Sequence, residues 1–161
     1  KEDSIATMQV DFYSPERFDL EFINVKGEKE RPVIVHKAIM GSFDRFFAFL
    51  VEQTAGAFPP WLSPVQVMVL PVSEKFKDYA KTIGARFIAS DIRTEIDDSD
   101  ESLGKRIREA ELKKIPYILV VGEKEEKDGI VAVRTRGQKE QETIQIEEFI
   151  EKIRKEIDEK K

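Results

Sequence analysis

The chain has 161 residues, 40% apolar and 37% charged, with 32 acids against 27 bases and a formal net charge of −5. Such a composition marks a folded, heavily charged protein and speaks against a globally basic nucleic-acid binder, although a local basic patch survives the sum. With no cysteine and one histidine, disulfides, thiol catalysis, thiolate zinc sites and a metal centre built mainly on imidazoles are excluded within the chain.

No apolar run approaches the roughly 18 residues of a membrane span, and the opening Lys-Glu-Asp-Ser carries no signal segment, so an intracellular protein is expected. Residues 5–12 and 18–23 alternate apolar and polar side chains, the period of half-buried antiparallel strands. Tyr13-Ser14-Pro15-Glu16 supplies the turn between them, and Lys26-Gly27-Glu28-Lys29 a second turn leading to a third strand over 32–36. Ser42 is placed to cap a helix in which Phe43, Phe46, Phe47, Leu50 and Val51 recur at helical spacing. The Pro-rich stretch 58–64 cannot sit inside a helix or central strand, because Pro lacks the amide donor and fixes φ. A boundary between two domains, 1–60 and 64–161, is expected there.

Beyond it the pattern becomes strand–helix alternation. Residues 66–72 read as a strand buried on both faces, as in a parallel sheet. Ser73 is expected to cap a helix with Phe76, Tyr79, Ala80 and Ile83 on one face, and 86–89 reads as the next strand. The acidic run 97–101 reads as a solvated loop. Ser102 opens a helix with Leu103, Ile107, Ala110 and Leu112 turned inward, ended by Pro116. Residues 117–122 and 130–134 read as strands joined by a turn around Asp128-Gly129, and 143–146 as a short further strand. Ile146, Phe149, Ile150, Ile153 and Ile157 mark a last helix. Right-handed crossovers would assemble these into a mixed α/β sheet with helices against it.

Two features carry chemistry. His36 ends a strand and has no second imidazole or thiolate to join it. Lys105, Arg106, Arg108, Lys113 and Lys114 crowd one helix, with Arg134 and Arg136 on a later strand. If that helix packs on the sheet, residues 105, 108 and 114 converge with 134 near its edge; a plain solvated helix face is the competing reading. A flavodoxin-like ligand binder is disfavoured, since no Gly-rich phosphate loop follows the first buried strand.

Longer stretches add to this. Thr7-Met8-Gln9-Val10-Asp11-Phe12, the run from Arg31 through His36 to Arg45, and Pro59-Pro60-Trp61-Leu62-Ser63-Pro64 resemble the threonyl-tRNA synthetase family of class II aminoacyl-tRNA synthetases. So do Gly104-Lys105-Arg106-Ile107-Arg108-Glu109-Ala110, residues 116–124 and Val131-Ala132-Val133-Arg134-Thr135-Arg136. The resemblance implies an α/β fold: a mixed five-stranded sheet with three helices, the class II anticodon-binding fold, preceded by a small antiparallel strand-and-helix remnant of the catalytic domain. It implies a C-terminal fragment of a cytoplasmic threonine–tRNA ligase, whose partners are tRNA(Thr), threonine and ATP with magnesium, the parent a homodimer, with no membrane and no DNA.

Carried over by position, His36 is one ligand of a zinc ion whose other ligands lie outside the chain. Arg45 is the motif 3 arginine that binds ATP, Asp44 standing where a Glu is usual, and Thr7 and Gln9 line the amino-acid pocket. Arg108, Glu125 and Arg134 read anticodon bases, with Lys114 and Thr94 at two further contact positions. A guanidinium suits phosphate and base edges bidentately, whereas the lysine at 114 keeps only the charge. The fragment alone is expected to bind tRNA and not to catalyse. The alternative is a non-catalytic accessory or regulatory tRNA-binding module reusing the same fold.

Overall fold

The computed structural model describes residues 6–138 and 140–161; Ile5, the expected start of the first strand, lies outside the described residues. The chain divides into two compact units, one running to Gln53 and the other Thr54–Lys161. This division falls before the Pro-rich stretch, and side chains of the second unit explain why. Arg136 donates to the carbonyls of Phe58 and Ala57 at 2.7 and 3.3 Å, Gln66 Nε2 to that of Pro60 at 2.8 Å, and Arg93 to those of Ser63 and Trp61 at 2.9 and 2.8 Å. Residues 54–63 are therefore tied to the sheet that follows.

The first unit holds two separate ribbons. β1 (Thr7–Asp11) pairs antiparallel with β4 (Ile34–Ala38), and β2 (Phe22–Ile23) with β3 (Lys29–Glu30). The turn between β2 and β3 needs Gly27, at φ +81°, and is held by Asn24 Oδ1, which accepts from the amides of Lys26 and Glu28 at 2.9 and 3.0 Å. The expected turn at 13–16 is instead a short helix, α1 (Tyr13–Arg17), nucleated by Asp11, whose Oδ1 accepts from the amides of Tyr13 and Ser14, both at 2.9 Å. The strand expected over 18–23 shrinks to its last two residues because α1 and its cap consume the rest. Helix α2 (Phe43–Thr54) starts as expected, with Ser42 Oγ accepting from the Arg45 amide at 3.2 Å.

The second unit is a mixed five-stranded sheet in the order β6-β5-β7-β8-β9. β5 (Val67–Pro71) runs parallel to β6 (Thr94–Ile96) and β7 (Tyr117–Val121); β8 (Ile130–Thr135) is antiparallel to β7 and to β9 (Gln141–Gln145). Helices α3 (Lys77–Ala89) and α6 (Ile146–Asp158) cover one face, closing a core that includes Val67, Val69, Ile83, Phe87, Leu119, Val133 and Phe149. Helix α4 (Leu103–Leu112) covers the other at Met68, Leu70 and Ile118. β5 is buried at every position, as a strand covered on both faces must be.

Four expectations need correction here. Residues 86–89 are the last turn of α3, because Phe87 sits one helical turn beyond Ile83 and points into the same core; the real second strand is β6. Ser73 makes no side-chain cap, and α3 is entered through a 3₁₀ turn, Glu74–Phe76. The link between β7 and β8 is a helical segment, α5 (Glu123–Asp128), closed by Gly129 at φ +68°, rather than a bare turn. Leu112 is 71% exposed rather than inward. Arg106 takes the inward place instead, 4% exposed on the sheet side of α4.

Candidate nucleic-acid interface

The basic residues of α4 diverge. Ser102 Oγ accepts from the Lys105 amide at 3.4 Å and sets the helix start. One turn places Lys105 beside Glu101, with Nζ and Oε1 2.7 Å apart. The next residue, Arg106, turns to the sheet. Its guanidinium donates to the carbonyls of Pro71, Asp97 and Glu101 at 2.8, 2.8 and 3.1 Å. A buried cation satisfied by backbone oxygens is a structural clamp; it stitches the acidic loop 97–101 to the end of β5. Arg106 thus leaves the expected basic patch, and Lys105 is neutralised at its far end. Arg108 is exposed on α4 and has no hydrogen-bond or ion-pair partner among the described residues.

Arg134 lies on β8 opposite Ile118 of β7, on the sheet face that α4 covers. Its Nη2 is 3.8 Å from Oε1 of Glu111 in the last turn of α4. The two border a hollow of about 250 Å³ with Ile115, Ile118 and Arg136. Glu111 was not singled out by the sequence; its one signal is its place three residues after Arg108.

Lys114 stands close to this group but is not free to read a base as placed. Its Nζ donates to the Ala55 carbonyl, and its own carbonyl accepts from Arg136 Nη1 at 2.6 Å. Its backbone closes α4 at φ +58°. Burial holds the Arg136 guanidinium below its usual pKa, as expected of a side chain spent on anchoring residues 57, 58 and 114.

Glu125 and Thr94 are elsewhere. Glu125 Oε2 accepts from the Gly122 amide at 2.9 Å, at the carboxyl end of β7, whereas Arg134 faces the start of that strand. The strand separates them by about 13 Å at ~3.3 Å per residue. Thr94 is in the edge strand β6 opposite Val67, so it faces the α3 layer, and its Oγ1 donates to the Ile92 carbonyl at 3.0 Å. Arg108, Glu111 and Arg134 form one surface; Glu125 lies apart, at the other end of β7, where its carbonyl accepts from the Tyr79 hydroxyl of α3 at 2.9 Å, and Thr94 is not joined to either.

In the first unit, the register of β1 on β4 pairs Gln9 with His36 and Thr7 with Ala38. Thr7, Gln9 and His36 therefore share one face, with Asp11 at its end. Asp11 Oδ2 lies 3.0 Å from His36 Nε2 and accepts from Ser14 Oγ at 2.6 Å. The Ser14 hydroxyl and amide, then His36, hold the Asp11 carboxyl well below the usual carboxylate range. Arg45 is exposed in the first turn of α2. No three His, Cys, Asp or Glu side chains converge on a metal site among the described residues; His36 and Asp11 by themselves do not make up a zinc site.

The family model described as anticodon binding domain matches residues 66–156, which span all five strands of the second unit. The chain belongs to the anticodon-binding domain family. Its curated relatives include a threonine–tRNA ligase of Caldanaerobacter subterraneus subsp. tengcongensis, 51% identical over 94% of this chain. Another, from Phocaeicola vulgatus, is 48% identical over 95%. The chain spans 24% of the length of each. The RNA binding domain of threonyl-tRNA synthetase from Cryptosporidium parvum Iowa II superposes with a TM-score of 0.78 at 38% identity, over 93% of this chain and 38% of that one. A prolyl-tRNA synthetase from Cryptosporidium parvum, 24% identical, has the same fold at a TM-score of 0.72, over 96% of this chain and 35% of its own. Because the likeness to the ligases runs through the first unit as well as the sheet, an accessory module built on the anticodon-binding fold alone is not favoured. No described helix is long and apolar enough to cross a membrane.

Proposed function

We propose that the chain is the C-terminal part of a threonine–tRNA ligase and that its second unit reads the anticodon of tRNA(Thr). The observation that carries this is the identity with threonine–tRNA ligases over 94–95% of the chain, through both units. The geometry adds to it: Arg108 and Arg134 present guanidinium groups on one face, beside a mostly polar hollow to which Ile115 and Ile118 add apolar surface, where splayed-out bases can be met on their Watson–Crick edges.

The first unit belongs to an active site completed by residues outside this chain. Thr7 and Gln9 line its threonine pocket, Arg45 holds ATP with its magnesium, and His36 is one zinc ligand among several. Zinc in such a site distinguishes threonine from valine through the hydroxyl that valine lacks. The parent works in the cytoplasm as a homodimer, and the fragment alone binds RNA without activating threonine.

The test is binding of the chain to an anticodon stem-loop of tRNA(Thr) and to one with a swapped anticodon. A clear preference for the first, lost in Arg134→Ala, is expected. Equal affinity for both RNAs in the unaltered chain would overturn the reading.

A further inference from the structure

Four donors converge on the Asp11 carboxylate. Oδ1 accepts from the amides of Tyr13 and Ser14, both at 2.9 Å, and Oδ2 accepts from the Ser14 hydroxyl at 2.6 Å. The fourth is Nε2 of His36, 3.0 Å from Oδ2 across the ribbon. Capping the turn at the start of α1 accounts for the first three bonds and leaves the fourth unexplained. An ionised carboxylate only accepts, so Nε2 carries a proton at this distance; otherwise two lone pairs would face each other. In the neutral ring the lone pair then belongs to Nδ1, which has no hydrogen-bond partner among the described residues. The His36 side chain is 56% exposed and that of Asp11 17%. Burial therefore does little to fix the ring, whereas the backbone of α1 fixes the carboxylate beside it.

We propose that Asp11 is a positioning residue: it holds His36 in the Nε2–H tautomer and fixes the ring, so that Nδ1 is the atom offered to zinc. The inference deepens the reading of His36 as one zinc ligand and rests on it. A metal-bound imidazole as a rule donates its other ring N–H to a carboxylate or carbonyl, which sets the tautomer and orientation and raises the basicity of the ligating nitrogen. The residues present fit that form. A neutral imidazole nitrogen suits zinc, and the carboxylate behind it is anchored by three further hydrogen bonds. An exposed imidazole without such a backing divides between two tautomers and several ring orientations, and selecting one of them weakens metal binding. Asp11 makes that selection in advance.

Two measurements test this. In the full chain, the nitrogen chemical shifts of the one histidine show which ring nitrogen carries the proton, read in alkaline solution where the ring is neutral. Nε2–H is expected to predominate. Asp11→Asn keeps an oxygen for the two amides and turns its amide N–H₂ toward His36, so the preference should reverse to Nδ1–H. Ser14→Ala loosens the same turn but spares the carboxylate, and should keep Nε2–H. In the intact ligase, Asp11→Asn should bind zinc about 10–100-fold more weakly in competition with a chelator. The assignment is wrong if Nδ1–H predominates in the unaltered chain, if Asp11→Asn leaves the tautomer or the zinc affinity unchanged, or if Ser14→Ala reverses the tautomer as well. An unaltered ligase that holds no zinc would instead overturn the reading of His36 itself, and this inference with it.

Discussion

Phe87 and Phe149 of the second unit are fully buried and meet edge to face at 6.0 Å, while Phe12, Phe18, Phe43 and Phe47 of the first unit are half or more exposed. Both units carry apolar residues at regular spacing. In the second, α3 and α6 close one face of a five-stranded sheet and α4 the other. In the first, two two-stranded ribbons and α2 bury Pro15 alone among its described residues. Periodicity thus records that a face is meant to be covered and leaves open what covers it. The second unit supplies its own cover; the first does not.

The sharpest way to break this contrast is to cut into the core that closes itself. Phe149→Ala should cost about 3–5 kcal/mol of the second unit's unfolding free energy, measured by denaturant titration. A cost near that of a surface change would mean this core is not what holds the unit. Next comes Arg106→Leu. It keeps an apolar contact with the sheet but leaves the Pro71, Asp97 and Glu101 carbonyls without their donor, and should cost about 2–3 kcal/mol. The loop 97–101 should then exchange its amides faster, which hydrogen exchange would register.

Tyr117 offers a smaller effect with a pH signature. Its hydroxyl donates to Glu156 of α6, and its ring meets Phe149 at 5.3 Å. Burial, reinforced by Glu156, pushes the phenol above its ordinary pKa. A raised folded-state value stabilises below the unfolded pKa of about 10, and that contribution fades as pH climbs past it. Tyr117→Phe should therefore cost about 1 kcal/mol at neutral pH, and the gap between the two proteins should narrow above pH ~10. A gap that stays constant with pH would remove the hydroxyl from the account. The smallest effect belongs to the first unit: Phe47→Ala should change the chain's stability by no more than about 0.5 kcal/mol. A loss of core size there would show that the exposed helix face is packed after all.

Much of the second unit was legible because its apolar runs are long or strongly periodic, as in residues 117–121 and along α6. Residues 86–89 misled because a short apolar run fits a strand and the end of a helix equally well, and only the core shared with Ile83 decides. Arg106 and Leu112 exchanged their expected places because a guanidinium counts as polar in a pattern. Yet three carbonyls that the sequence does not announce make its burial favourable. Of the site, Arg108 and Arg134 were visible as charges, whereas Glu111 became visible only when β8 was laid against the end of α4. The spread of Thr94 and Glu125 away from Arg134 depends on strand order, which no local pattern carries.

The central claim is that the face shared by α4 and β8 receives the anticodon. Its most direct test is residue-by-residue chemical-shift mapping of the labelled chain titrated with the threonine anticodon stem-loop. The account predicts that the shifts gather at Arg108, Glu111, Arg134 and Thr135, with a lesser group at Glu125, and leave Arg86 and Arg154 on the α3 and α6 side unmoved. Shifts concentrated on α3 and α6, or confined to the first unit, would contradict it.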